Sequence, residues 1–153
     1  MSKLGYIPKD LTFDEKGRAQ LIKGITAISK AVKSTLGPRG QTVLIESPDH
    51  TGGITVTKDG VTVAKSIFLD NAIENLAIQM MKDAATRTAN SAGDGTTTAI
   101  VLTEAIVNVG QRLLKENHNI TEVIKSINKY CDQIIGILEK GSKKITKDTL
   151  LDV

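Results

Sequence analysis

The sequence predicts a mainly helical domain with a small β-sheet attached. Four segments repeat apolar residues at spacings of three and four, which is the pattern of one buried helix face. Short runs of β-branched and apolar residues lie between the first two of these segments. The 153 residues, 40% of them apolar, suit one compact domain with a buried core. Because only 3% are aromatic and tryptophan is absent, that core must be mainly aliphatic.

The first predicted helix begins at a capping box. Thr12 and Glu15 match the T-x-x-E pattern, in which the two side chains bond the free amides of a first helical turn. An apolar face follows at spacings of four, three, four and four: Leu21, Ile25, Ile28, Val32 and Leu36. Gly37 and Pro38 come next in the order that ends a helix, so the helix is predicted to end there.

Three short strands are predicted next. The run Thr42–Glu46 is followed by a loop at 47–53, which contains a proline, an aspartate and two glycines. Two further runs, Ile54–Thr57 and Val61–Lys65, flank the Lys-Asp-Gly sequence at 58–60. Since Asp-Gly between alternating residues is typical of a hairpin turn, this segment is interpreted as a hairpin.

Three more helices complete the prediction. The first covers about 71–90 and the second about 97–114. The second is apolar around most of its circumference between Ile100 and Val109, which is typical of a helix buried in the middle of a domain. The last helix covers about 121–140. Its apolar face is formed by Val123, Ile127, Tyr130, Ile134 and Leu138.

Composition argues against several classes of partner. The net charge of +3 is mild and aromatics are few, which argues against a groove for single-stranded nucleic acid. The lone cysteine, Cys131, cannot form an internal disulfide, and we interpret it as a small core residue. Residues 1–8 lack the apolar run of a signal peptide, and no apolar stretch approaches the roughly 20 residues needed to cross a bilayer. We therefore expect a cytoplasmic protein without a nucleic-acid or membrane partner.

The segment Gly-Asp-Gly-Thr-Thr-Thr at 93–98 is the strongest candidate for a binding site. It opens a predicted helix, and a helix N-terminus attracts phosphate through free amides and a positive dipole potential. Gly93 and Gly95 let the backbone approach a ligand, and the threonines add hydroxyl donors. Asp94 is a hard oxygen ligand suited to Mg²⁺. The alternative is a glycine-broken loop with an ordinary threonine cap, and the residues alone leave both open.

Two other segments are more ordinary when taken alone. Leu36–Gly40 is interpreted as a helix stop and a turn, and the G-x-x-x-x-G-K-[ST] phosphate loop occurs nowhere in the sequence. Thr57–Gly60 is interpreted as a hairpin turn. The two histidines, His50 and His118, lie in predicted loops without metal-ligand spacing, and we interpret both as surface residues.

Together and in this order, the motifs resemble the group I chaperonins. The resemblance is carried by LGPRG at Leu36–Gly40, TKDGVTVAKSI at Thr57–Ile67 and AGDGTTTA at Ala92–Ala99. The intervening ENLAIQMMKDAA at Glu74–Ala85 is also similar to that family. The GDGTTT string is shared with the group II chaperonins, whereas TKDGVTVAKSI points to group I.

The resemblance implies a mostly helical equatorial domain that binds ATP with Mg²⁺ and K⁺ and builds ring contacts. By the same resemblance, Asp94 would be the Mg²⁺ ligand, and Asp59 would assist the attacking water. The residues that would bind the nucleotide are Thr35, Leu36, Gly37, Pro38, Lys58, Gly60, Gly95, Thr96, Thr97 and Thr98. Such a site suits phosphoryl transfer, which depends on positioning and charge neutralisation more than on covalent help.

The resemblance also sets expectations for domain organisation. Residues 1–140 would form the N-terminal part of the equatorial domain, and 141–153 would begin an intermediate domain. In the family, the second catalytic aspartate and the polypeptide-binding groove belong to later segments. We therefore expect weak or absent hydrolysis by this chain alone, self-association or other chaperonin subunits as partners, and contact with unfolded protein only through the missing domains. The alternatives are a short non-hydrolysing protein that modulates full-length chaperonin rings, and an inactive fragment.

Overall fold

The computed structural model describes residues 11–46, 53–116 and 118–143. It is mainly helical with a small antiparallel sheet, so the predicted fold class is confirmed. In chain order the elements are α1 (Asp14–Lys33), β1 (Val43–Glu46), β2 (Ile54–Thr57), α2 (Gly60–Ser66), α3 (Ala72–Ala92), α4 (Thr96–Lys115) and α5 (Ile120–Gly141). The structure divides into two units between Asn108 and Val109. The predicted loop at 47–53, apart from Gly53, lies outside the described residues, as do His50 and residues 144–153.

The core of the first unit is aliphatic, as the composition predicts. It joins one face of each of the first four helices. Its buried members are Ile28, Val32, Val63, Ala64, Ile78, Met81, Ala85 and Ile100. The strand residues Val43 and Ile45 pack against this core, and the alternate residue Leu44 faces solvent. The period of two along a strand therefore separates a packed face of the hairpin from an exposed one.

Helices α1 and α3 approach closely because Gly24 has no side chain. A methyl group placed on Gly24 would lie 2.9 Å from the carbonyl carbon of Glu74 and 3.0 Å from Cβ of Ala77. Both distances are shorter than ordinary van der Waals contact. The backbone of one helix thus rests on the first turns of the other.

The prediction of a third strand at Val61–Lys65 is wrong. These residues belong to α2, because the carboxylate of Asp59 caps the helix and accepts hydrogen bonds from the amides of Val61 (3.2 Å) and Thr62 (2.9 Å). At the other end, Nζ of Lys82 donates to the carbonyls of Lys65 (2.9 Å) and Ile67 (2.6 Å). The two caps and the burial of one face outweigh the β-propensity of the sequence.

The predicted ends of α1 are also wrong. The helix begins at Asp14 with Phe13 at the N-cap position and no side-chain cap, so the capping box at Thr12 and Glu15 does not form. Asp14 itself has a φ of 62°, and this turn displaces Thr12 from the capping position. The helix ends at Lys33, because the hydroxyl groups of the next two residues, Ser34 and Thr35, bond back to its last carbonyls.

Helices α4 and α5 are less covered than the sequence predicts. On α4, the buried residues are Thr96, Ile100 and Glu104, whereas Leu102 is 56% exposed. No residue of α5 is buried, and Cys131 is half-buried. The expectation of a fully buried α4 is therefore wrong, since within the first unit only the face that carries its three buried residues is buried. Among the described residues, no helix is long and apolar enough to cross a membrane.

We expect Gly24→Ala to destabilise the fold. The added methyl group must push α1 and α3 apart, and overpacking of this kind lowers the free energy of unfolding by about 1–3 kcal/mol. This loss exceeds the helix-propensity gain of about 1 kcal/mol for alanine over glycine. Urea unfolding followed by circular dichroism measures the difference.

Gly110→Ala on α4 is the matched control, since beyond its chain neighbours and the adjacent backbone of its own helix no described atom lies within 4 Å of the added methyl group. It should leave the free energy of unfolding unchanged or raise it. Equal stability of Gly24→Ala and the parent chain would contradict the close packing of α1 and α3.

We also expect the isolated chain to self-associate. The exposed apolar side chains of α5 include Ile134, Ile137 and Leu138, and contiguous apolar surface promotes association. Sedimentation velocity across a wide concentration range should show concentration-dependent species, and Ile134→Lys should reduce them. A parent chain that stays monomeric at high concentration would contradict this expectation.

Candidate nucleotide site

Three separate segments of the sequence meet at Gly60. This residue is buried at the start of α2. A methyl group on it would lie 3.3 Å from Oγ1 of Thr35 and 3.3 Å from Cβ of Thr97. The loop after α1, the start of α2 and the start of α4 therefore come together with no room for a side chain between them. Gly60 and Thr97 belong to two of the motifs that carry the sequence resemblance, and Thr35 directly precedes the third motif, Leu36–Gly40.

The start of α4 has the geometry that the Gly-Asp-Gly sequence predicts. Gly93 and Gly95 have φ values of 77° and 85°, in the left-handed region that favours glycine. Between them, the exposed Asp94 accepts a hydrogen bond from the amide of Gly95 at 2.6 Å. Thr96 is buried, Thr97 is half-buried and Thr98 is exposed. First-turn amides of a helix have no intrahelical acceptor, so this turn offers hydrogen-bond donors to an anion.

The loop after α1 forms the second side of the site. The hydroxyl group of Thr35 donates to the carbonyl of Val32 at 2.8 Å, which leaves its oxygen lone pairs free. The amide of Gly40 donates to the carbonyl of Gly37 at 2.9 Å and closes a tight turn. The residues between these bonds, Leu36, Gly37 and Pro38, are exposed. The loop thus presents an open edge next to Gly60.

Asp59 lies beside this junction as the cap of α2. Oδ1 accepts from the amide of Val61, and Oδ2 accepts from both the amide and the hydroxyl group of Thr62, the latter at 2.6 Å. The hydrogen bond from the Thr62 side chain is the main cause that lowers the pKa of Asp59, and the helix amides add to it. The carboxylate is therefore ionised at neutral pH. Lys58, directly before it, is exposed.

The carboxylates near the site do not form a preassembled metal centre. Within the described residues, no group of three or more histidine, cysteine or acidic side chains is placed to hold a metal ion. The carboxylates of Asp94 and Asp59 each hydrogen-bond within their own turn. Since Mg²⁺ usually binds through one or two carboxylates together with phosphate oxygens and water, Asp94 fits an ion that arrives with a nucleotide.

One part of the site was missed by the sequence analysis. Glu104 on α4 is buried and forms an ion pair with Lys33, the last residue of α1. The available signal is that Glu104 is the single charged residue in the apolar stretch 99–111. A charge in such a stretch predicts a buried partner but does not say which residue supplies it.

Comparison with known proteins relates the chain to the chaperonins. A model of the TCP-1/cpn60 chaperonin family matches residues 28–153. The crystal structure of the chaperonin gp146 from the bacteriophage EL 2 (Pseudomonas aeruginosa), in the presence of ATP-BeFx, is similar with a TM-score of 0.73 and 30% sequence identity. The match covers 86% of this chain and 22% of the phage protein.

The family match includes the three segments that meet at Gly60. The structural match shows that the fold is similar to part of a chaperonin subunit. The chain spans 22% of the length of that relative, so it corresponds to one part of such a subunit. It is a member of the TCP-1/cpn60 chaperonin family.

Proposed function

We propose that this chain supplies the ATP-binding part of a chaperonin that assists protein folding in an ATP-dependent manner. The observation that carries the proposal is the meeting of Thr35, Gly60 and Thr97. Three segments that are far apart in the sequence form one polar junction at a helix N-terminus. The crystal structure of the phage relative, in the presence of ATP-BeFx, supports a nucleotide as the ligand.

The residues present fit a nucleotide with its metal ion. The phosphates would bind the first turn of α4 through Gly95, Thr96, Thr97 and Thr98, whose amides and hydroxyl groups are donors. The nucleotide would also contact the loop Thr35, Leu36, Gly37 and Pro38, and Lys58 would add positive charge. Asp94 would be the Mg²⁺ ligand, and K⁺ would balance further phosphate charge. When bound, Mg²⁺ neutralises charge on the phosphates.

The contacts of Asp59 define what it can do in hydrolysis. Both of its oxygens already accept hydrogen bonds and its pKa is lowered, so at neutral pH it is an ionised acceptor and a weak base. It can orient a water molecule by accepting a hydrogen bond from it. Removal of the water proton would need additional groups, which fits weak or absent hydrolysis by this chain alone.

A second candidate function follows from the exposed helices. Because α5 buries none of its residues, this chain presents an apolar surface that other chaperonin subunits could cover. We infer that such subunits are its partners, either in a homo-oligomer or with longer subunits. In the second case the chain would act as a non-hydrolysing protein that modulates a ring. Co-sedimentation with full-length chaperonin rings distinguishes this function from autonomous nucleotide binding.

We expect the purified chain to bind Mg·ATP, and we expect two variants to bind it more weakly. Asp94→Asn removes the metal ligand but keeps the volume and the bond to Gly95. Gly60→Ala places a methyl group against Thr35 and Thr97. Each should weaken binding by at least about tenfold, which corresponds to about 1.4 kcal/mol. Isothermal titration calorimetry measures the affinity.

Asp83→Asn is the matched control, because Asp83 is an exposed aspartate on α3 outside the three motifs. It should bind as the parent chain does. The parent chain should lose affinity when Mg²⁺ is chelated. A helical parent chain that does not bind Mg·ATP, or an Asp94→Asn variant with unchanged affinity, would contradict the proposed site.

Substitution of Asp59 should separate its capping role from its charge. Asp59→Ala removes the cap of α2 and should lower the free energy of unfolding by about 1 kcal/mol, whereas Asp59→Asn keeps an acceptor and should lose less. Because the pKa is lowered on folding, the charge stabilises the fold above the unfolded-state value of 3.8. This contribution is lost as the pH falls through the folded-state pKa.

The stability difference between the parent chain and Asp59→Asn should therefore shrink on acidification below about pH 3.8. Urea unfolding over a series of pH values measures it. A difference that stays constant across that range would show that the ionised form of Asp59 has no special role in the cap.

A further inference from the structure

The ion pair between Lys33 and Glu104 joins the two segments that carry the candidate site. Lys33 ends α1 and precedes Thr35 by two positions, while Glu104 follows Thr96 on α4 by eight positions. Nζ of Lys33 donates to Oε2 of Glu104. The pair therefore connects the base of the loop after α1 to the helix that begins with the candidate phosphate-binding turn.

Within the first unit, which includes α4 as far as Asn108, a single face of α4 makes the contacts with the other elements. Thr97, Ile100 and Glu104 follow one another at spacings of three and four, so they lie on one side of the helix. Thr97 lies at Gly60, Ile100 belongs to the core and Glu104 pairs with Lys33. Among the described elements, the closest backbone packing joins α1, α2, α3 and the hairpin. Helix α4 is thus attached mainly through the side chains of this face.

The burial of Glu104 makes the pair more than a surface contact. Glu104 is 6% exposed, and the side chain of Lys33 is 46% exposed. In the described part of the chain, Lys33 is the salt-bridge partner of this carboxylate. A buried carboxylate without a partner is unfavourable, and a helix held by few side chains can move to bring that carboxylate into water. Such a movement would also take Thr97 away from Gly60 and Thr35.

We infer that Lys33 and Glu104 are positioning residues of the nucleotide site. Neither belongs to the binding turn or to the loop that faces it. By fixing α4 to the end of α1, the ion pair sets the distance between the binding turn and the loop that faces it. The inference rests on the proposed function, because it assigns the pair a role in the affinity for Mg·ATP. Its structural part concerns the attachment of α4 and can be measured without a ligand.

Four variants test the inference in the full chain. Lys33→Met and Glu104→Gln each remove one charge at similar volume, a double variant removes both, and Lys33→Arg keeps the pair. Hydrogen exchange in the ligand-free chain should be about tenfold faster for amides 99–104 in each single variant, with unchanged exchange within α3. Calorimetry should show that each single variant binds Mg·ATP about tenfold more weakly than the parent chain. The double variant should bind no more weakly than the single variants. Lys33→Arg should match the parent chain in both measurements.

The outcomes separate this inference from the proposed function. Unchanged exchange at 99–104 in the single variants would overturn it, as would a simultaneous loss of protection in α3, which would indicate general unfolding. Faster exchange in α4 with unchanged Mg·ATP affinity would overturn the positioning role and leave the proposed function intact. A parent chain that fails to bind Mg·ATP would overturn the proposed function, and the role of the pair in nucleotide affinity with it.

Discussion

The close approach of α1 and α3 at Gly24 is the contact on which the rest of the first unit depends. Helix α1 leads directly into the loop that contains Thr35, and α3 leads through Gly93 and Gly95 into α4. Any change in the separation of these two helices is therefore passed to both sides of the candidate site. A second residue without a side chain, Gly60, then lets the loop and α4 meet. The two glycines, Gly24 and Gly60, thus set the geometry of a candidate site that is built from polar side chains.

Much of the helical architecture could be predicted from the sequence, because apolar periodicity reports directly which face of a helix is buried. The failures share a different cause. The third strand and the capping box were both predicted from short local patterns, and local hydrogen bonds decided otherwise. Asp59 caps a helix where its neighbours favour a strand, and the turn at Asp14 moves Thr12 out of the capping position. A pattern of three or four residues does not contain enough information to predict which local hydrogen bonds will form.

The residues alone indicated the segment at 93–98 as a candidate and left its role open, and the other two segments were assigned to the site only through the resemblance to a family. From the residues alone, the segments around Thr35 and Gly60 look like a helix stop and a hairpin turn. Their meeting with Thr97 depends on the packing of α1, α2 and α3, which no local pattern specifies. The uncovered faces of α4 and α5 show a related limit. An apolar pattern predicts that a face will be buried, but it does not say whether the covering surface belongs to the same chain.

Three carboxylates around the candidate site have three different environments, and each environment limits what the carboxylate can do. Asp94 is exposed in the turn between Gly93 and Gly95, so it is accessible to a metal ion. Asp59 is exposed but held by helix amides and a hydroxyl group, which lower its pKa and fix its direction. Glu104 is buried and paired with Lys33, so its carboxylate is not exposed to a ligand. Because each carboxylate has its own contacts, the other two should not replace its role when it is substituted.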